Sequence, residues 1–286
     1  MVTRMLDGNE IAKKKMADLT SRVEKLPSKP TLALIQIGND ESSNVYVRAK
    51  MKRAHSVGIE AKLYKYETMT QPELLERLKE FSDDSSVNAI MIENPLPPGF
   101  DYYEIAKAIP YYKDVDALSP VNQGSLNINR EFMVPATPRA VVDILDYYGY
   151  DYKSVSSVAI INHSPVVGRP LSMMLLNRNY TVTICHVFTA DVRRYTRNAK
   201  VVVVAVGKPD FLDRSYVNTD SIVIDVGINY VNGSVKGDVK YDDLNGFIEA
   251  LTPVPGGVGP VTATNILENV VRTSEFQMKN NATKTA

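Results

Sequence analysis

The sequence predicts an α/β protein of two domains, with mostly parallel sheets covered by helices and the second sheet doubly wound. Two observations carry this. Short β-branched runs alternate with longer stretches of helical period along the whole chain. The strand-like runs of the second half also recur at roughly 20-residue intervals, the succession of a mononucleotide-binding, Rossmann-like βαβ sheet. A length of 286 residues allows two domains of ordinary size, each with its own core.

In the first half the strand-like runs lie at 32–37, 62–66 and 88–92, with helical stretches at 43–57 and 72–81 between them. Pro72 suits a first helical turn, where its missing N–H costs nothing. In the second half the runs lie at 157–161, 181–185, 201–206 and 222–226. Segments 113–122 and 135–138 between the halves are rich in turn residues, and Thr137 is placed to cap a helix starting at Pro138. A boundary near residue 120 therefore divides the chain into domains 1–120 and 121–261. A final helix over 262–274 follows a loop of glycine and proline, and the tail 277–286 reads as frayed. There is no internal repeat or low-complexity tract.

Composition narrows the function classes. Lys plus Arg equals Asp plus Glu at 33 each, so no net field draws the chain to nucleic acid or an anionic membrane. The longest apolar runs, such as 201–206, are strand-length, and the first residues lack the apolar core of a signal peptide. One cysteine cannot form an internal disulfide, and with three histidines it is a poor basis for a structural metal site. These features predict a cytoplasmic protein that needs no metal and binds neither membrane nor nucleic acid.

Five stretches hold residue types that carry chemistry. Tyr46 and Lys50 stand four apart on a helical stretch, which stacks them on one face; a surface lysine beside a half-buried tyrosine has the same spacing. Glu93-Asn94-Pro95-Leu96 follows the strand ending at Ile92, where the exit of a parallel strand faces a ligand crevice, or is a plain proline loop. Asp114 and Asp116, in Lys113-Asp114-Val115-Asp116, place two acceptors at a turn, able to bind the donor edge of a heterocycle or simply to cap it. Asn162, His163, Ser164, Val167, Gly168, Arg169 and Pro170 end one strand and open a helix, a setting for a pyrophosphate on free amides, although the Gly-x-Gly-x-x-Gly fingerprint is absent. The strand after it ends in His186-Val187, where no acid awaits ribose hydroxyls, and Gly207 follows the next strand. Arg169, Arg193 and Arg194 are partners for a 2′-phosphate or merely solvated surface. The fifth stretch, Pro253 to Thr262, packs three glycines and three prolines into ten residues, including Pro255-Gly256-Gly257-Val258. Such a loop exposes backbone to a close ligand and then starts a helix.

Taken in order, these segments resemble the bifunctional methylenetetrahydrofolate dehydrogenase/methenyltetrahydrofolate cyclohydrolase family over nearly the whole chain. The resemblance runs from Leu6-Asp7-Gly8 through Tyr46, Lys50, Pro95-Leu96-Pro97 and Lys113-Asp114-Val115-Asp116. It continues through Thr137-Pro138, Ser164, Val167-Gly168, Cys185-His186, Asp225-Val226-Gly227-Ile228-Asn229 and the loop from Pro253 to Thr262. It implies oxidation of 5,10-methylenetetrahydrofolate with NADP (NAD possible) and hydrolysis of the methenyl product to 10-formyltetrahydrofolate. It also implies a homodimer, with the first domain completed by the C-terminal helix, 262–276. The folate would lie in the cleft between the domains, against Tyr46 and the Pro95-Leu96 exit, with Lys50 at the reacting carbon. Asp114 and Asp116 would flank the pterin, and Pro255, Gly256, Gly257, Val258 and Thr262 would close over it. The dinucleotide would rest on Asn162, His163, Ser164, Val167, Gly168, Arg169, Pro170, His186, Val187, Gly207 and Ile228.

Three departures from the family pattern bear on this expectation. Glu93-Asn94 stands where the family usually has Gln before Leu-Pro-Leu-Pro, and a carboxylate beside Lys50 favours the ammonium, a poorer base. Asn162-His163-Ser164 replaces the usual Gly-Arg-Ser, and Val187 replaces the serine after Cys-His. The last two remove contacts to a 2′-phosphate and predict weaker discrimination for NADP. A non-catalytic dinucleotide- or folate-binding relative and another α/β dehydrogenase are the competing readings. The Tyr46–Lys50 pair opposes the first and the Gly/Pro loop the second.

Overall fold

The computed structural model describes residues 2–39 and 41–284, with the side chains of 41–43, 45, 46 and 281–284 outside the description. In chain order, β1 (Arg4–Met5), α1 (Gly8–Glu24), β2 (Thr31–Ile37), α2 (Glu41–Ser56), β3 (Glu60–Tyr66), α3 (Gln71–Asp83), β4 (Ala89–Ile92), α4 (Tyr102–Ala108) and α5 (Pro120–Asn127) form the first half. Then come α6 (Ala136–Tyr148), β5 (Val158–Ile161), α7 (Gly168–Leu176), β6 (Val182–Cys185), α8 (Arg193–Thr196), β7 (Val201–Val204) and β8 (Ile222–Asp225). The chain ends with β9 (Asn229–Val231), β10 (Ser234–Lys236), α9 (Tyr241–Leu244), β11 (Ala250–Leu251) and α10 (Val258–Lys284).

Two compact units share these elements: Met1–Lys13 with Pro135–Asn265, and Lys14–Val134 with Ile266–Ala286. The second unit holds a three-stranded parallel sheet, β3-β2-β4. Every residue of β2 is buried, as expected of a central strand covered on both faces. Helix α3 shows why its sequence folds locally: the Thr70 N–H donates to the Glu73 carboxylate at 2.7 Å in a capping box. Its Leu74, Leu78 and Phe81, at i, i+4 and i+7, then pack on Ile35, Ile90 and Ile105.

The first unit holds a parallel sheet of order β1-β11-β8-β7-β5-β6. Strands β5, β7 and β8 are buried throughout, which explains their continuous apolar runs. A separate hairpin, β9–β10, turns at Asn232-Gly233, both with positive φ.

The division differs from the sequence expectation. The units part after Val134 rather than near 120, and residues 1–13 belong with the six-stranded sheet. There the Leu6 N–H donates to Leu251 O at 2.9 Å, and Thr3 Oγ1 to Ile248 O at 2.7 Å, pairings 245 residues apart that no local pattern encodes. Thr137 caps nothing: α6 starts at Ala136, and Pro138 sits in its first turn, where a missing donor costs nothing. Helix α10 starts at Val258 and continues through Lys284, so 277–284 is helical. Gln277 is docked, donating to Asn88 O at 2.7 Å and Tyr112 O at 3.3 Å. Asn269 on the same helix donates to Val115 O and Val134 O. No described helix is long and apolar enough to cross a membrane.

Candidate active site and dinucleotide pocket

Helix α2 and the end of β4 bring a cation and a carboxylate together in the three-stranded unit. Lys50 Nζ lies 2.5 Å from Glu93 Oε1, with the lysine side chain 24% exposed and the glutamate 6%. Because Glu93 N–H donates to Ile35 O at 2.8 Å, the ladder position of the strand exit places that carboxylate. Tyr46 precedes Lys50 by one turn of α2, but its side chain lies outside the described residues.

The Lys113–Asp116 motif separates into three roles. The Lys113 ammonium is buried and donates to the carbonyls of Phe81, Ser82 and Asp84 at 2.8–3.0 Å, closing the end of α3. Asp114 is buried as well, and its Oδ2 accepts from Ser119 N at 2.7 Å and Asn122 Nδ2 at 3.1 Å. Asp114 therefore anchors the turn before α5. Asp116 accepts no hydrogen bond among the described residues and keeps part of its surface accessible. Burial pushes its carboxyl up to about 7, with Asp114 and Glu93 adding to the effect and Lys50 opposing it.

Asn94 of the strand-exit stretch joins this group, and with it Tyr102, which was not singled out as functional in the sequence. Burial and the Asp116 charge push the Tyr102 phenol up, against a hydrogen bond with the Asn94 side chain. A tyrosine at the start of a short helix carries no sequence signal of such a contact. Pro95 is exposed, whereas Leu96 packs against the core of the unit.

The Gly/Pro loop belongs to the other unit, and much of its glycine content answers to packing. Gly8 N–H donates to Gly256 O at 2.8 Å, and a Cβ on Gly8 would come within 1.8 Å of Gly257 O. Gly257 would itself meet Pro253 O at 2.5 Å, and Gly256 has a φ of 112°. Pro255 is exposed at the bend, Val258 is buried at the start of α10, and the Thr262 hydroxyl is buried without a partner.

A cavity of about 580 Å³ opens past the carboxyl ends of β5, β6 and β7. Asn162, His163, Ser164, His186 and Val187 line it, as the sequence suggests, together with Asp191, Arg193, Lys208, Phe211 and Tyr216. Asn162 ties the strand ends together: its Nδ2 donates to Ala205 O at 2.7 Å, and its Oδ1 accepts from Ser164 N and Gly168 N. The amides expected to be free for a pyrophosphate are thus partly used, because Val167 N also donates to Ser164 Oγ. Val167, Gly168, Arg169, Pro170, Gly207 and Ile228 do not line the cavity. Gly168 instead permits close approach of α7 to β5, since a Cβ there would meet Asn162 O at 2.0 Å. Pro170 is buried in the first turn of α7, and Ile228 is exposed. Gly207, with Val206 and Lys208, donates its N–H to the Asp238 carboxylate, at 2.6–3.0 Å. No cluster of three or more metal-ligating side chains occurs among the described residues.

The stretches that carry the lysine–carboxylate pair and the cavity match two domain models of one family. Its tetrahydrofolate dehydrogenase/cyclohydrolase catalytic domain matches residues 6–116, and its NAD(P)-binding domain matches residues 135–278. The chain belongs to the tetrahydrofolate dehydrogenase/cyclohydrolase family. It is 59% identical to the bifunctional protein FolD of Thermoplasma acidophilum, over 97% of this chain and 99% of the relative. The FolD protein of Picrophilus torridus is 50% identical over 96% of this chain and 99% of its own. The crystal structure of the bifunctional 5,10-methylenetetrahydrofolate dehydrogenase/cyclohydrolase from Thermoplasma acidophilum superposes with a TM-score of 0.92 at 58% identity, covering 96% and 100% of the two chains. The Trypanosoma brucei methylenetetrahydrofolate dehydrogenase-cyclohydrolase, crystallised with NADP and an inhibitor, gives 0.91 at 29% identity, covering 98% and 99%. The chain is accordingly a dehydrogenase and cyclohydrolase of one-carbon folate metabolism.

Proposed function

We infer that Lys50, held by Glu93 and with Asp116 beside it, moves the protons of the cyclohydrolase reaction. The contact of 2.5 Å between Lys50 and Glu93 carries this reading. Water adding to the methenyl carbon loses a proton; as the bond from that carbon to N5 then breaks, the adduct's hydroxyl gives up its proton to become the formyl carbonyl and N5 gains one, so one proton is released overall. Lys50 can take up the water's proton and deliver one to N5, while the ion pair with Glu93 fixes where its ammonium sits. Asp116, neutral below about 7 and charged above it, is placed to hold the donor edge of the pterin with its unspent oxygens.

NADP is the cofactor we assign, and it supplies the acceptor for the hydride of the methylene carbon. The cavity past β5, β6 and β7 fits it: the volume suits a small-molecule site, and Gly168 lets α7 approach the strand end as nucleotide-binding turns require. His163, Ser164 and the His186-Val187 exit form the wall offered to the adenosine end. Pro255 to Val258 and Thr262 are the folate-covering residues in this reading, with the Thr262 hydroxyl free to bond a ligand. A cytoplasmic homodimer is the working form.

The deciding experiment assays purified protein with methylenetetrahydrofolate and each nicotinamide cofactor, following methenyl formation and its hydrolysis separately. The expected result is both activities with NADP, and loss of hydrolysis in Lys50→Ala. A Lys50→Ala protein that still hydrolyses the methenyl compound at the parental rate removes Lys50 from the reaction.

A further inference from the structure

Two imidazoles that line the dinucleotide cavity take no part in the proton transfers above. His163 stands two residues past β5 and His186 one past β6, strands paired in register through Ile161 and Cys185. Their ring centroids lie 5.1 Å apart at a 42° tilt. His186 Nδ1 accepts the N–H of Phe188 at 3.2 Å, so the neutral ring carries its proton on Nε2. The ring of His163 makes no hydrogen bond among the described residues.

Position indicates the ligand chemistry. In a doubly wound sheet, the residues just past the second strand meet the adenosine ribose. An acid there binds the 2′-hydroxyl, whereas a cation accommodates a 2′-phosphate. Here that exit is His186-Val187-Phe188, without an acid. The charged groups facing the pair are mostly cationic. Arg193 of α8 and Lys208 beyond β7 line the cavity, and Arg169 Nε of α7 donates to His163 O at 3.0 Å. Arg193 is held by Ser215 Oγ at 2.9 Å, with its guanidinium 4.4 Å over the Tyr216 ring. Asp191 is the acid among the lining residues, and its Oδ1 accepts from Arg193 N.

Two imidazole rings 5.1 Å apart beside three cations leave like charges unbalanced when both rings carry a second proton. A phosphate dianion reverses that balance. We propose that His163 and His186 form a proton-gated clamp for the 2′-phosphate of NADP, taking up a proton as the phosphate arrives. Protonation also turns His186 Nδ1 from acceptor to donor, adding its N–H to that of Phe188. The proposal rests on NADP being the cofactor, and it makes the preference for NADP over NAD fall as pH rises through the imidazole range.

The test measures kcat/KM for NADP and for NAD between about pH 6.5 and 8.5, above the second ionisation of the phosphate near 6. In the parental enzyme the NADP/NAD ratio should fall with rising pH, by up to about tenfold per unit if one proton is linked. His163→Gln combined with His186→Gln should flatten the dependence. A parental ratio independent of pH, or the same slope in the double variant, overturns the clamp. Calorimetry of cofactor binding to the parental enzyme, in buffers of different ionisation enthalpy, does not depend on the variants folding. It should show proton uptake with NADP and none with NAD, and equal uptake with both also overturns the proposal. Failure of NADP to support turnover at any pH would instead remove the cofactor assignment.

Discussion

Two regions of the molecule bury carboxylates and use them differently. At the end of β8, Asp225 accepts backbone N–H from Gly227, Asp238 and Val239, and Asp238 in turn holds the amides of Val206, Gly207 and Lys208. The two side chains leave no room for a Cβ at Gly227 or Gly237, whose added atoms would come within 2.4 Å of them. Past β4, Asp116 has no hydrogen bond among the described residues and feels Lys50 and Glu93 through space. Burial raises both carboxyls, Asp225 to about 6 and Asp116 to about 7. A raised carboxyl therefore does not by itself mark a reactive site. Unspent hydrogen-bonding capacity beside a lysine does, whereas saturation by backbone amides marks a framework.

The contrast can be broken most sharply at Lys50. Lys50→Ala should lower the cyclohydrolase rate by about 10²–10⁴, the usual worth of a positioned proton-transfer group, with little change in melting temperature. A comparable loss from Asp238→Asn, measured in the same assay, would erase the distinction between site and framework. Asp116→Asn comes next, with an expected loss of about 10² in cyclohydrolase kcat/KM. It should also abolish a pH–rate inflection near 7 that the parental enzyme shows as Asp116 ionises. An inflection that persists in the variant assigns it to another group.

Asp225 tests the framework side through stability. Its folded carboxyl is raised above the ordinary value, so its stabilising effect is complete below about pH 4 and is lost as pH rises to about 6. The stability of the parental protein relative to Asp225→Asn should thus fall across that window, by at most about 3 kcal/mol. Urea melts at several pH values measure it, and a difference that grows with pH would mean that the three amide donors outweigh burial. The smallest effect is expected for Glu93→Gln. Removing the carboxylate frees Lys50 from its ion pair and should raise the cyclohydrolase-to-dehydrogenase ratio at neutral pH by less than about tenfold. An unchanged ratio and pH profile would show that Glu93 acts as a neutral group would.

Much of the site was legible because its signals are local. Lys50 and Glu93 could be named from a helix spacing and a strand exit, and His163 and His186 from the ends of two β-branched runs. Tyr102 was missed because its contacts with Asn94 and Asp116 arise where a short helix folds back on the strand exit. Asp114 and Asp116 looked equivalent in a two-residue repeat, yet Ser119 and Asn122 consume one of them and leave the other. The pyrophosphate amides looked free because the reach of Asn162 across to Ala205 and Gly168 has no sequence signature.

The sequence alone determined the α/β class, the parallel sheets and the places where strands end, because side-chain periodicity and β-branching act over a few residues. Tertiary structure decided that residues 1–13 join the six-stranded sheet and that α10 begins at Val258 and runs on past Gln277. It also decided that the Lys50 ammonium meets Glu93 across 43 residues of chain. These outcomes depend on which groups a carbonyl, a carboxylate or an ammonium finds once it is removed from water. That choice is made by neighbours far away in sequence.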